Sequence, residues 1–312
     1  MLDVLSAFAE VLLPVLVVVA LGYGLRRAFP LDIRTLNRLS LYVLTPVLVF
    51  VSLLRTEVVG GEALRLAAQM GLVMASTLLL GFVLSAVFRL SRAQRSGFLL
   101  TSTFMNSGNY GLSVTRFAFG ELGFQYAVIG YLTQAILSQT VAVYLASAGS
   151  RSRLAALRQV FRVPLIYALI AALALRAAGI RLDEGDGALA AGLYRGLRLV
   201  ADAALPVLLL ILGTQLTARE PVHANGPLAA AVLVRLLASI PLGYGFGVLL
   251  GLEGLPLYVG TIQAAMPTAV NMVVIALEFD SWPEFVSNGV LLTTLGSLVT
   301  LTLLIALARG AG

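Results

Sequence analysis

Apolar runs about twenty residues long recur from one end of this 312-residue sequence to the other. A helix of that length crosses the roughly 30 Å hydrocarbon core of a bilayer. Only 12% of residues are charged and 59% are hydrophobic, whereas a soluble domain carries about 25% charged residues. The sequence therefore reads as an all-α polytopic membrane protein. Ten spans are expected, near 5–27, 36–54, 64–88, 96–118, 123–147, 161–178, 195–217, 226–250, 256–278 and 284–308. Connections are short and leave no room for a soluble domain. The first run has Asp3 and Glu10 where a signal peptide needs basic residues, and it continues to Gly24 without a cleavage site.

The charges set an expected orientation. Arg26, Arg27, Arg34 and Arg38 follow span 1; Arg89, Arg92 and Arg95 follow span 3; Arg151, Arg153, Arg158 and Arg162 follow span 5. All three loops lie on one side, which the positive-inside rule makes cytoplasmic. Both termini are then expected outside, in a multi-pass protein of the cell membrane. The acidic loop at Asp183, Glu184 and Asp186 falls outside. The net charge of +6 is scattered over these loops rather than gathered into a patch, so nucleic acid is not an expected partner. With no cysteine and one histidine, His223, in a loop, the sequence offers no thiolate chemistry, no metal site and no catalytic constellation.

Two spans carry polar residues near mid-membrane. Span 4 contains Asn106-Ser107-Gly108-Asn109-Tyr110-Gly111. Glycine costs about 1 kcal/mol against alanine inside a helix, and Asn and Ser favour caps and turns. Span 9 contains Met266-Pro267-Thr268-Ala269-Val270-Asn271, where Pro267 removes a backbone donor and clashes with the preceding turn. Both stretches read as broken helices.

The breaks sit in corresponding places. "FMNSGNYGL" from Phe104 aligns with "AMPTAVNMV" from Ala265 at a shift of 161. "RLSLYVLTPVLVF" from Arg38 aligns with "RLVADAALPVLLL" from Arg198 at 160, and "LPVLVVVALGYGLRR" from Leu13 with "VPLIYALIAALALRA" from Val163 at 150. The near-constant shift implies two five-span repeats, 1–150 and 151–312. An odd number of spans inverts the second copy, and paired broken helices in inverted repeats mark a transporter's substrate site.

Irregular backbone at that depth must be buried in protein or face a cavity. Each break frees amides at a half-helix N-terminus, which carries roughly half a positive charge and favours anions. Neither break holds Asp, Glu or Arg, so exchange of a cation for a carboxylate-bound proton is disfavoured. Asn106, Ser107, Gly108, Asn109, Gly111, Pro267, Thr268, Ala269, Val270 and Asn271 are the expected substrate-binding positions, with Gln134 facing them. Tyr131, Gln134 and Ser138 share one helix face. Gln69, Tyr131, Ser138 and Thr293 are supporting candidates, against the alternative that such groups only hydrogen-bond between helices. Arg116 is placed near the outer end of span 4, where it can snorkel to the interface or attract anions at the outer mouth, and Arg235 lies deep enough in span 8 to need an ion pair or a headgroup.

"MNSGNYGL" and "MPTAVNMVVIALEF" resemble the paired motifs of the auxin efflux carrier family, whose first motif reads Asn-x-Gly-Asn-x-Gly-Leu-Pro; here Ser113 replaces the proline. The resemblance covers nearly the whole chain in length and layout. It implies a fold like that of bile acid/sodium symporters, with broken helices 4 and 9 crossing. Spans 1, 2, 6 and 7 would form a scaffold that dimerises, and spans 3–5 and 8–10 a moving transport domain. It implies a small organic anion as substrate, with Asn106 and Asn109 on the substrate or the crossover, Gly108 and Gly111 permitting one break, Pro267 making the other and Asn271 starting its half-helix. No cofactor is expected, and sodium coupling is left open. A sodium-coupled bile-acid-type symporter is the alternative within the class, and a ligand sensor that moves nothing the alternative outside it.

Overall fold

In a lipid environment every backbone amide and carbonyl must be paired within the chain, and an apolar sequence of this kind answers with helices. The computed structural model describes residues 2–58, 60–146, 164–180, 182, 187–216 and 225–310. Arg151, Arg153, Arg158, Arg162, Val163, Arg181, Asp183, Glu184, Asp186 and His223 lie outside the described residues.

The described helices are α1 (Asp3–Ala28), α2 (Ile33–Arg55), α3 (Gly61–Val87), α4 (Arg92–Thr103), α5 (Ser107–Ala146), α6 (Pro164–Ala177), α7 (Ala188–Gln215), α8 (Gly226–Leu249), α9 (Gly254–Ala264), α10 (Asn271–Glu278) and α11 (Pro283–Gly310). Seven of them are long and apolar enough to cross a membrane: α1, α2, α3, α5, α7, α8 and α11. The protein is an all-helical, multi-pass membrane protein. Its one β-type contact among the described residues is an isolated antiparallel bridge between Met105 and Thr268.

Local chemistry sets several boundaries. Ser91 and Gln94 form a reciprocal capping box that starts α4. Pro14 in α1 and Pro46 in α2 each follow a wide (π) turn, Phe8–Leu12 and Ser40–Leu44, which accommodates a ring that cannot donate to the helix ladder. Within α5 the chain turns at Gly120, whose φ of 66° suits glycine.

Helix α7 packs along α1 and α2, and α6 packs on α2. Glycines bring α1 and α7 into backbone contact: a Cβ on Gly22 would strike the backbone of Leu210, and one on Gly213 the carbonyl of Val19. Helices α3, α4, α5, α8, α9 and α11 pack around the points where α4 and α9 end. Phe104, Met105, Met266, Ala269 and Val270 are buried there in a core shared with α1, α3 and α11.

Candidate functional site

Both expected breaks exist, but each begins slightly earlier in the sequence than expected, and the first precedes its glycines. Helix α4 ends at Thr103, and Phe104 to Asn106 run non-helically. The polar stretch Ser107–Gly111 is already helical, as a wide turn that opens α5. Helix α9 ends at Ala264, and α10 begins at Asn271. The interruptions are therefore 104–106 and 265–270 rather than 106–111 and 266–271. The reason is pairing: the Asn106 amide donates to the Pro267 carbonyl at 2.7 Å and the Ala269 amide to the Phe104 carbonyl at 2.9 Å. Extended backbone in one break satisfies extended backbone in the other, so the apolar Phe104 and Met105 leave the helix while Asn109 and Gly111 remain in it.

Side chains fasten this crossover to its neighbours. Thr268 Oγ1 donates to the Thr101 carbonyl at 2.7 Å, and the Thr268 amide donates to Thr293 Oγ1 at 3.1 Å. The glycines act differently from the expectation that they permit the break. A Cβ on Gly108 would come within 2.7 Å of the Tyr131 ring, and one on Gly111 within 2.7 Å of Gln263 Oε1. They allow close approach, and the backbone at 107–111 stays helical.

The crossover presents amides at two helix starts. The first ladder bond of α5 runs from Gly111 N–H to the Asn106 carbonyl at 3.0 Å, which leaves the amides of Ser107 to Tyr110 outside the ladder. In α10 the first such bonds run from Met272 to Ala269 and from Val273 to Val270. Near these starts, Asn106 Nδ2 and Ser107 Oγ are buried without a hydrogen-bond partner. Such an atom costs about 1–3 kcal/mol. Asn109 is half-buried and Asn271 exposed.

Several other expected residues have partners within the helix bundle. Gln69 donates to the Gly243 carbonyl at 2.7 Å and lies against Gly260, tying α3 to α8 and α9. Ser138 Oγ donates to the Ala135 carbonyl of its own helix at 3.1 Å. Gln134 is buried on α5, one turn beyond Tyr131. Arg116 forms an ion pair with Glu121 at 3.2 Å and lies over the Phe124 ring, so its charge is already met.

One residue at the crossover escaped the sequence reading, and a second was noticed there but expected to have a different partner. Gln263 in α9 is fully buried, donates to Thr115 Oγ1 at 2.9 Å and keeps Oε1 unpartnered beside Gly111. Its amide, three residues before Met266 in an apolar helix, was the available signal. Arg235 is the second. It is 0% exposed, and no ion pair to it is formed among the described residues. Its Nη1 donates to the Thr103 carbonyl at 2.7 Å and its Nη2 to the Ala264 carbonyl. These are the last residues of α4 and α9. The expected acid or headgroup is replaced by two helix C-termini.

Cavities of about 540 and 370 Å³ lie at another level, around Arg55, Glu57 and Tyr194. The smaller one separates α2 and α7 from the Arg116–Gln125 part of α5 and carries Arg55, Arg116 and Arg198 alongside Glu57, Glu121 and Asp202. No crossover residue lines either cavity. Charges of both signs balance in the smaller cavity, while the larger one carries Arg55 and Arg176 against Glu57, and both arginine head groups of the larger cavity already have partners: Arg176 donates to the Leu53 and Thr56 carbonyls and Arg55 lies over the Tyr194 ring.

A family profile described as "Membrane transport protein" matches residues 7–156 and 149–305. An uncharacterized transporter of Methanothermobacter thermautotrophicus is 29% identical over 300 residues, covering 94% of this chain and 96% of its own. An uncharacterized transporter of Methanocaldococcus jannaschii is 21% identical over 302 residues, with the same coverage of each chain.

Proposed function

Since the chain belongs to this membrane transport family, the auxin efflux carrier permeases, we propose that it carries a small organic anion bearing a carboxylate by alternating access, with the substrate held at the crossover of the two broken helices. The observation that carries the reading is the pair of uncapped helix starts at Ser107 and Asn271, joined through the Met105–Thr268 bridge, with Asn106 Nδ2 and Ser107 Oγ unpartnered beside them. Free amides and amide side chains bind a carboxylate, and a helix start adds positive potential.

In this reading α4 with the start of α5 is one broken span, and α9 with α10 another. Division of α5 at Gly120 then gives ten spans in two inverted repeats, 1–150 and 151–312. Helices α1, α2, α6 and α7, which pack on one another, would form the scaffold and its dimer contact. The rest would move as the transport domain, carrying the crossover from one face of a cell membrane to the other. Half-buried Asn109 and exposed Asn271 are assigned to the substrate carboxylate.

Counterflow in proteoliposomes across a panel of labelled carboxylates, with and without sodium, tests the proposal. Saturable exchange of at least one carboxylate supports it. Binding without exchange would favour a ligand sensor, and uptake strictly dependent on sodium a bile-acid-type symporter.

A further inference from the structure

Arg235 is a fully buried cation with no carboxylate paired to it among the described residues, in a protein whose interior has little else to solvate it. An isolated buried charge is expensive, so its partners have to supply compensating negative potential. They are the terminal carbonyls of α4 and α9, at Thr103 and Ala264, positions that the 161-residue shift also equates. A helix C-terminus carries roughly half a negative charge, so two of them match one guanidinium. The planar fork of arginine reaches both carbonyls at once, which a single ammonium does less well. A wide turn at Val234–Ala238 presents the residue, and Ser239 Oγ bonds its carbonyl at 2.6 Å.

Half-helix C-terminal ends are where broken-helix transporters hold a coupling sodium ion or proton. We propose that Arg235 is a resident counter-cation of the crossover: its guanidinium fills the place between Thr103 and Ala264 that an exchangeable cation would need, and it holds the two half-helices in register. Two consequences follow. Arginine does not give up its proton in proteins, so this cation cannot cycle. With the carbonyl ends neutralised, the two amide ends leave roughly one unit of positive charge, which suits a single carboxylate rather than a cation. The second consequence rests on the proposed anion site; the first stands without it.

The test reads thermal stability of the purified protein, which needs no substrate and so separates failure of this proposal from failure of the transport reading. Wild type should melt at the same temperature in sodium, potassium or choline chloride of equal ionic strength. Arg235→Ala should melt lower by about 5 °C or more, and millimolar guanidinium, though not choline, should restore part of the loss. Arg235→Lys should fall between them. Arg235→Met, which keeps bulk without charge, should behave like Arg235→Ala. Selective stabilisation of wild type by sodium would overturn the proposal by revealing an exchangeable cation. So would Arg235→Met melting like wild type, or Arg235→Lys melting no higher than Arg235→Ala. If the neutral variants yield no folded protein while Arg235→Lys does, the charge requirement is supported. If none folds, the sodium response of wild type decides.

Discussion

At the α1–α7 seam two helices touch backbone to backbone, while at the crossover two broken helices meet with polar atoms left over. The seam is closed by absence: Gly22 and Gly213 have no side chain, and Val15, Val19, Leu209 and Leu212 fill the space around them. At Gly22 and Gly213 no side chain is present to offer a ligand a donor. The crossover keeps Asn106 Nδ2, Ser107 Oγ and Gln263 Oε1 buried and unpartnered. One region is built to stay shut, and the other retains hydrogen-bonding capacity that its own packing does not use. Within the crossover a second contrast appears. The carbonyl ends are met by Arg235, and among the described residues no acidic side chain accepts a hydrogen bond at the amide ends.

Substitutions can break this comparison region by region. The largest effect is expected at the seam. Gly213→Leu puts a branched side chain where even a Cβ would strike the Val19 carbonyl, so overpacking should cost about 1–3 kcal/mol or more. Melting temperature and uptake should fall together, checked by scanning fluorimetry and counterflow on the same preparation. Next come Asn109→Ala and Asn271→Ala. Each should reduce uptake roughly 10–100-fold, the loss expected for a hydrogen bond to a charged group, with melting unchanged. That split between stability and transport is what distinguishes crossover from seam.

A smaller effect sharpens the account of the glycines. Gly108→Ala should destabilise by about 1 kcal/mol because the new Cβ presses on the Tyr131 ring. Tyr131→Leu should relieve it, so a double-mutant cycle on melting should show coupling. The smallest effect is expected at Arg198, paired with Asp202 at 3.8 Å on an exposed face of α7. Arg198→Ala should change stability by no more than about 0.5 kcal/mol.

Existence of the breaks was legible because Pro267, Gly108 and the asparagines are poor helix formers in otherwise apolar runs. Their positions were not legible to the residue. Whether Phe104 and Met105 run extended depends on the Pro267 carbonyl and the Ala269 amide of the other break, and backbone partners leave no mark in a side-chain pattern. The same cause hid the role of Arg235. A buried arginine suggests an acid, yet its partners are two carbonyls that any residue type could supply. Arg116, expected to snorkel or to attract anions, is paired with Glu121 five residues on, across the Gly120 turn that brings the two together. The helical, multi-pass character of the chain and its family membership were accessible because they follow from apolar run lengths and from two quotable motifs.

The central claim is that the uncapped helix starts hold a carboxylate. The most direct measurement is exchange of a labelled carboxylate by proteoliposomes containing wild type, Asn109→Ala or Asn271→Ala, each shown beforehand to melt at the same temperature. The account predicts saturable exchange by wild type and a loss of roughly 10–100-fold in both variants. Exchange at wild-type rates in both variants would contradict it.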